Sequence, residues 1–177
     1  MMKLEKGFIQ VYTGNGKGKS TAAIGQAIRA AGHGLRTLIV QFMKEYPYGE
    51  VETLNKLSEF ITIEQYCGDD FVLKKTLPPQ SELDKVKKAF KRIESAFQHG
   101  EYDLVILDEI CVSIYFKLVE TSAVIELIQK KPEHIELIMT GRYCPQEIIE
   151  IADLVTEMKE VKHYYSEGVL ARKGIES

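Results

Sequence analysis

Residues 11–23 read VYTGNGKGKSTAA, and they limit the possible folds of this chain more than any other stretch. Three glycines and two lysines separate a strand-like run at 8–12, FIQVY, from a run at 20–31 with alanine and isoleucine at helical spacing. A glycine costs about 0.5–1 kcal/mol relative to alanine inside a regular element. That cost is tolerated where the backbone must turn sharply or approach a ligand closely. Strand, glycine turn and helix in direct succession predict a βα unit and, with it, a parallel sheet.

The rest of the chain repeats that alternation. Further strands are expected at 36–42, 60–66, 102–108, 135–140 and near 154–161. Helices are expected over 50–58, over 82–98 with Ser81 as cap, at about 109–118 and 121–130, and from Pro145 to Ala152. Gly32-His33-Gly34 and Gly100 read as helix stops. Residues 67–79, with Gly68, two aspartates and Pro78-Pro79, read as a long loop, and 162–177 shows no clear period. The fold class predicted is α/β, a mostly parallel sheet with helices on both faces, in one domain over 1–177. Such sheets bind ligands outside the carboxyl ends of their strands. The distinctive polar residues fall there. The glycine loop follows the first strand, Asp108-Glu109 the fourth, and Thr140-Gly141-Arg142 the fifth.

Composition excludes several classes. Hydrophobic residues make up 45% and charged residues 28%, which argues for a packed core and against disorder. A net charge of −3 gives no footing for nucleic acid or an anionic membrane; the lysines of 85–92, KVKKAFKR, read as the wet face of a helix. No apolar run approaches the ~18 residues of a membrane span, and MMKLEKG lacks a signal-peptide core. Cys67, Cys111 and Cys144 are odd in number and lack Cys-x-x-Cys spacing, so they read as packing residues in a reducing cytoplasm.

The glycine turn itself reads as a phosphate-binding P-loop. Gly14, Asn15, Gly16 and Gly18 would let successive N–H groups face phosphate oxygens. The helix from about Ser20 and Thr21 adds its positive end. Lys19 would reach phosphate, and the Ser20 hydroxyl would ligate Mg²⁺. The strict pattern has glycine five residues before Gly18; Thr13 stands there, and Gly16 and Lys17 are extra. Four apolar residues before Asp108-Glu109 in YDLVILDEI make a Walker-B-like strand, whose Asp108 or Glu109 would hold Mg²⁺ directly or through water. The fold is thereby narrowed to the P-loop NTPase type, RecA-like.

These residues, together with AIRAAGHG (27–34), VQFMK (40–44), MTGRYCP (139–145), ADLVTEMKEVKH (152–163) and GVLARKGIE (168–176), resemble the ATP:corrinoid adenosyltransferases in order and spacing. The resemblance covers nearly the whole chain. It implies that ATP and a reduced corrinoid are the substrates. Co(I) attacks the ribose 5′ carbon, triphosphate leaves, and adenosylcobalamin forms. It implies a nucleotide docked in reverse, with the γ-phosphate where the α-phosphate usually sits. Lys17, Lys19, Ser20, the amides of 14–20 and Mg²⁺ would stabilise the departing triphosphate, with Glu109 a metal-site residue rather than a general base. Arg142 is either a further cation or an exposed arginine with a structural partner, and Arg29 either faces nucleotide or makes a surface salt bridge. The resemblance further implies a cytoplasmic homodimer, for which a flavoprotein is a candidate reductant.

Two departures bear on the corrinoid. Many relatives carry an N-terminal arm that covers a site in the dimer; here about half a dozen residues precede GFIQVY, so any cover is expected from elsewhere. Relatives commonly show Gly-Phe-x-Trp after the third strand; here the segment reads Cys67-Gly68-Asp69-Asp70-Phe71, and the chain has no tryptophan. Phe71 is therefore a candidate corrinoid contact or a loop-anchoring hydrophobe. The loop MKEYPYGE (43–50) likewise offers Tyr46 or Tyr48 near a tryptophan position. A divergent P-loop ATPase and a non-catalytic nucleotide or corrinoid carrier are the alternative readings.

Overall fold

The computed structural model describes residues 4–45 and 48–176; Tyr46 and Pro47 of the 43–50 loop lie outside the described residues. Strand β1 (Ile9–Thr13) enters the glycine loop and α1 (Lys19–Ala31) leaves it. There follow β2 (Thr37–Gln41), α2 (Gly49–Asn55), β3 (Ile61–Gln65), α3 (Asp70–Leu73) and α4 (Gln80–His99). The second half holds β4 (Leu104–Asp108), α5 (Ile110–Tyr115), α6 (Thr121–Gln129), β5 (Glu136–Thr140), α7 (Gln146–Ile151) and β6 (Leu154–Glu157).

The strands form one six-stranded sheet in the order β3-β2-β4-β5-β1-β6, every pairing parallel. The inner strands are apolar on both sides because both faces are covered. Val105 and Leu107 of β4 join Leu38, Val40, Leu137 and Met139 in one core, which α4 closes with Val86, Ala89, Ile93, Ala96 and Phe97. Leu104 and Ile106 point the other way, with Ile39 and Ile138, and meet Ala23, Ala27 and Ala30 of α1. The small alanines let α1 lie close to the sheet. Burying each large aliphatic side chain contributes about 1.5–3 kcal/mol. The parallel α/β sheet is the fold expected from the sequence, of P-loop NTPase type. Strand β5 lies between β1 and β4, so Thr140 separates the glycine loop from Asp108 at the carboxyl edge.

Local differences from expectation have local causes. The expected 67–79 loop contains the single helical turn α3, because Phe71 needs burial and pulls the chain inward. Helix α4 begins at Gln80 with extended Pro79 as its cap, so Ser81 lies inside the first turn. Pro145 likewise is the cap of α7 and not its first helical residue. Strand β6 stops at Glu157, short of 161, since the chain then turns onto the glycine loop: Met158 N–H donates to the Thr13 carbonyl at 2.8 Å. The tail, which lacked a period, forms a 3₁₀ turn at Tyr164–Glu167, where the His163 ring accepts from the Tyr165 N–H at 3.1 Å.

Candidate active site

The glycine loop is shaped by its neighbours as much as by any ligand. Gly14 and Gly18 have φ of +94° and +121°, in the region that favours glycine. A Cβ at Gly14 or Gly16 would stand 2.5 or 2.7 Å from the Met158 carbonyl oxygen. The Gly16 N–H donates to that oxygen at 2.6 Å. This corrects the expectation that all the loop's amides face phosphate, for the Gly16 amide is held by the segment after β6. Lys19 is buried and its Nζ donates to the Gly16 carbonyl at 2.8 Å. Burial is the largest influence on its pKa, which is lowered. Lys17 is exposed and reaches the Ile175 carbonyl at 3.0 Å.

Beside the loop is a polar corner built on Asp108. Asp108 is 1% exposed and accepts from Thr140 Oγ1 at 2.7 Å, from Lys44 Nζ at 2.8 Å and from Gln41 Nε2 at 3.1 Å. Burial pushes its pKa up, but Lys44, Thr140 and Ser20 outweigh burial and hold it below the ordinary carboxylate value. Lys44 Nζ also donates to Ser20 Oγ at 3.1 Å. One ammonium thus joins the P-loop hydroxyl to the Walker-B carboxylate. The neighbouring Glu109 is half-buried, and burial followed by the Asp108 charge raises its pKa.

Backbone strain sets these side chains at the edge. Met43, Glu109 and Tyr143 all have positive φ, of 55°, 63° and 59°, just past the ends of β2, β4 and β5. Such conformations cost a non-glycine residue roughly 1–3 kcal/mol and gather at functional sites. They lie next to or at Lys44, Glu109 and Arg142, three charged residues of one cleft.

That cleft has a volume of 790 Å³, within the range of nucleotide-sized sites. Of the residues singled out in the sequence, Gly16, Lys17, Gly18, Lys19, Ser20, Thr21, Glu109 and Arg142 line it together. Ile24 and Ile28 of α1 and Tyr48 and Leu54 around α2 give it an apolar wall. The far side is the tail, including Tyr164, Ile175 and Glu176. Arg172 and Tyr164 both bond Glu176, which closes the tail on itself.

Other expected residues lie apart. Gly14 and Asn15 shape the loop without lining the cleft. Arg29 is exposed and donates to Gln26 at 3.2 Å; the structure does not bring it to the site. Phe71 is 4% exposed, meets the Phe116 ring edge-on at 6.4 Å, and lines a separate 350 Å³ cavity with Glu45, Gly68 and Leu77. Tyr115 and Tyr143 stack at 4.2 Å and are 56% and 50% exposed. Lys44 and the tail residues Ile175 and Glu176 were missed as site residues. The available signal was their place inside VQFMK and GVLARKGIE, stretches singled out for resemblance without roles for those residues.

A strand, a glycine loop with its buried lysine, a helix and an aspartate at a nearby carboxyl end define a P-loop nucleotide-binding protein. Comparison with known proteins narrows this class. The profile of the ATP:corrinoid adenosyltransferases BtuR/CobO/CobP matches residues 5–177, and the chain belongs to that family. It is 35% identical over 174 residues to the corrinoid adenosyltransferase of Escherichia coli K12, covering 97% of this chain and 86% of that protein. It is also 35% identical over 181 residues to the corrinoid adenosyltransferase CobA of Salmonella typhimurium LT2, covering 97% and 86%. The Sinorhizobium corrinoid adenosyltransferase is 33% identical over 178 residues, covering 97% and 81%.

Proposed function

We propose that this protein transfers the 5′-deoxyadenosyl group of ATP to the Co(I) of a corrinoid, releasing triphosphate and forming adenosylcobalamin. The observation that carries this, beside the family, is charge: Lys17, Lys19, Lys44 and Arg142 all line one cleft. Four cations suit a leaving group as anionic as triphosphate.

The residues also fit Mg²⁺. Ser20 Oγ and Asp108 Oδ2 already share one cation, the Lys44 ammonium, so two hard oxygens converge on a cationic position. Mg²⁺ needs only one or two protein oxygens when phosphate and water supply the rest. Bound there, it would neutralise charge on the triphosphate oxygens, with Glu109 beside it as a metal-site residue.

The chain's own work is then positioning. The cobalt lone pair forms the new bond to the 5′ carbon, the C–O bond breaks, and its electrons leave on triphosphate. No side chain has to act as nucleophile or take a proton. Lys19 exchanges the Gly16 carbonyl for phosphate, the apolar wall of Ile24, Ile28 and Leu54 takes the adenosine, and the tail excludes water. The resemblance supports the finer features: reversed nucleotide docking, one domain over 1–177, a cytoplasmic homodimer, and Co(I) supplied by a flavoprotein. Among the described residues no helix is long and apolar enough to cross a membrane.

The deciding experiment is product identity. Protein incubated with ATP, Mg²⁺ and chemically reduced cobalamin should yield triphosphate and adenosylcobalamin in equal amounts. Steady release of ADP and phosphate without corrinoid would establish an ATPase instead.

A further inference from the structure

We propose that Lys44 is a tethered place-holder for the metal: its ammonium fills the position between Ser20 and Asp108 in the nucleotide-free protein and leaves only when a divalent ion arrives on nucleotide phosphates. The inference rests on reading Ser20 and Asp108 as the metal pair, and it goes beyond that reading in assigning an order to binding.

The geometry is specific. Nζ donates to Asp108 Oδ2 at 2.8 Å and to Ser20 Oγ at 3.1 Å, with the Glu50 carboxylate 3.9 Å away. The side chain is 12% exposed, and the Tyr48 ring lies 5.2 Å from Nζ. The backbone is fixed too. Lys44 N–H donates to the Cys67 carbonyl at 3.1 Å, and Met43 before it is held at φ 55°. This lysine is built into its place from both ends.

A bare divalent ion entering this corner must expel the ammonium from a buried carboxylate. The displaced cation keeps the nearby charges of Glu109 and Glu50 but gives up its 2.8 Å bond to the buried Asp108 carboxylate. A metal carried by nucleotide brings its own solution, because the phosphates give the departing ammonium a new partner in the same cleft. Metal alone is therefore refused and metal with ATP accepted. The Lys44 ammonium also keeps Asp108 paired, where an unpaired buried carboxylate would be strongly destabilising.

The test is the binding of Mn²⁺ alone, followed by electron paramagnetic resonance of the free ion in the full chain. Lys44→Met should bind nucleotide-free Mn²⁺ at least about ten-fold more tightly than the unmodified protein, because the competitor is gone and the carboxylate is unpaired. Lys44→Arg, which keeps a cation, should stay as weak as the unmodified protein. Asp108→Asn added to Lys44→Met should abolish the gain. Equal Mn²⁺ affinity in the unmodified protein and Lys44→Met overturns the proposal, as does tight nucleotide-free binding by the unmodified protein. Should Lys44→Met fail to fold by circular dichroism, Lys44→Gln takes its place; the unmodified protein's own Mn²⁺ affinity with and without ATP decides independently. None of these readings involves corrinoid. Adenosyl transfer with equal Mn²⁺ binding removes the place-holder alone, and a Lys44 effect without adenosyl transfer removes the proposed function alone.

Discussion

Two sides of the carboxyl edge are built differently. On the phosphate side, Lys19, Lys44 and Asp108 are polar groups carried into the protein, and each ends on a named oxygen or ammonium. On the other side, residues 67–79 bury Phe71 against Phe116 and leave Asp69 half-buried at the head of α3, its side chain capping nothing. The first arrangement is costly unless every partner is present, so it is rigid and intolerant of change. The second depends on apolar packing from one ring, so its exposed residues are free to vary. Chemistry common to a family is expected on the first side, and differences in corrinoid handling on the second.

The largest effect should come from breaking the phosphate side at its centre. Asp108→Asn leaves the Lys44 ammonium without its buried carboxylate, and breaking such a pair typically costs about 3–5 kcal/mol. Urea unfolding should show that loss, and Mg²⁺-dependent triphosphate release should collapse. The sign with pH follows from Asp108's lowered pKa. Its stabilisation is present above the ordinary carboxylate range and is lost as pH falls through the lowered value. The Asn variant should lack that acid limb.

Phe71→Ala tests the opposite side and should destabilise by about 3 kcal/mol, the range for emptying a buried phenylalanine site. Adenosyl transfer should fall along with folding. Lost corrinoid affinity at unchanged stability would return Phe71 to the ligand and erase the contrast. Lys19→Ala should come next. Charge-assisted bonds to phosphate contribute roughly 1.5–3 kcal/mol, so Mg-ATP affinity by calorimetry should drop about ten-fold or more with the fold intact. Unchanged affinity would remove the P-loop reading.

The same contrast explains what could be read from the sequence. The loop from Gly14 to Ser20, the strand ending in Asp108 and the parallel sheet were legible because they are local: turn chemistry and apolar periodicity act over a few residues. Lys44 was not, for its role exists only where β2 and β4 pair and bring Gln41 opposite Asp108. The tail was opaque for the same reason, since Ile175 meets Lys17 across most of the chain. Phe71 was visible as an aromatic at a suggestive position. Its burial depends on Phe116, 45 residues further on, and no periodicity reports that.

Asp69 gives the smallest expected effect and the sharpest test of the comparison. Its half-buried side chain makes no capping bond, so Asp69→Phe should shift stability by no more than about 1 kcal/mol, near the centre of the range for single substitutions. Yet its charge reaches the cleft: after burial, and against the pull of Lys44, Asp69 helps raise the pKa of Tyr48. A carboxylate there would bring water to the face where the resemblance implies an aromatic. Co(II) with its lower ligand in place is hard to reduce, and the family's aromatics help by displacing that ligand and excluding water. The unmodified protein should therefore adenosylate pre-reduced Co(I) corrinoid well while assisting Co(II) reduction poorly. Asp69→Phe should improve the second activity at little cost to the first. Electron paramagnetic resonance of Co(II)cobalamin with protein and Mg-ATP reads the lower ligand directly. Partial ligand loss in the unmodified protein, rising in Asp69→Phe, is the expected result. Complete loss in the unmodified protein would mean that Asp69 does not hold water against the corrinoid and that the two sides of the edge are equally committed to the reaction.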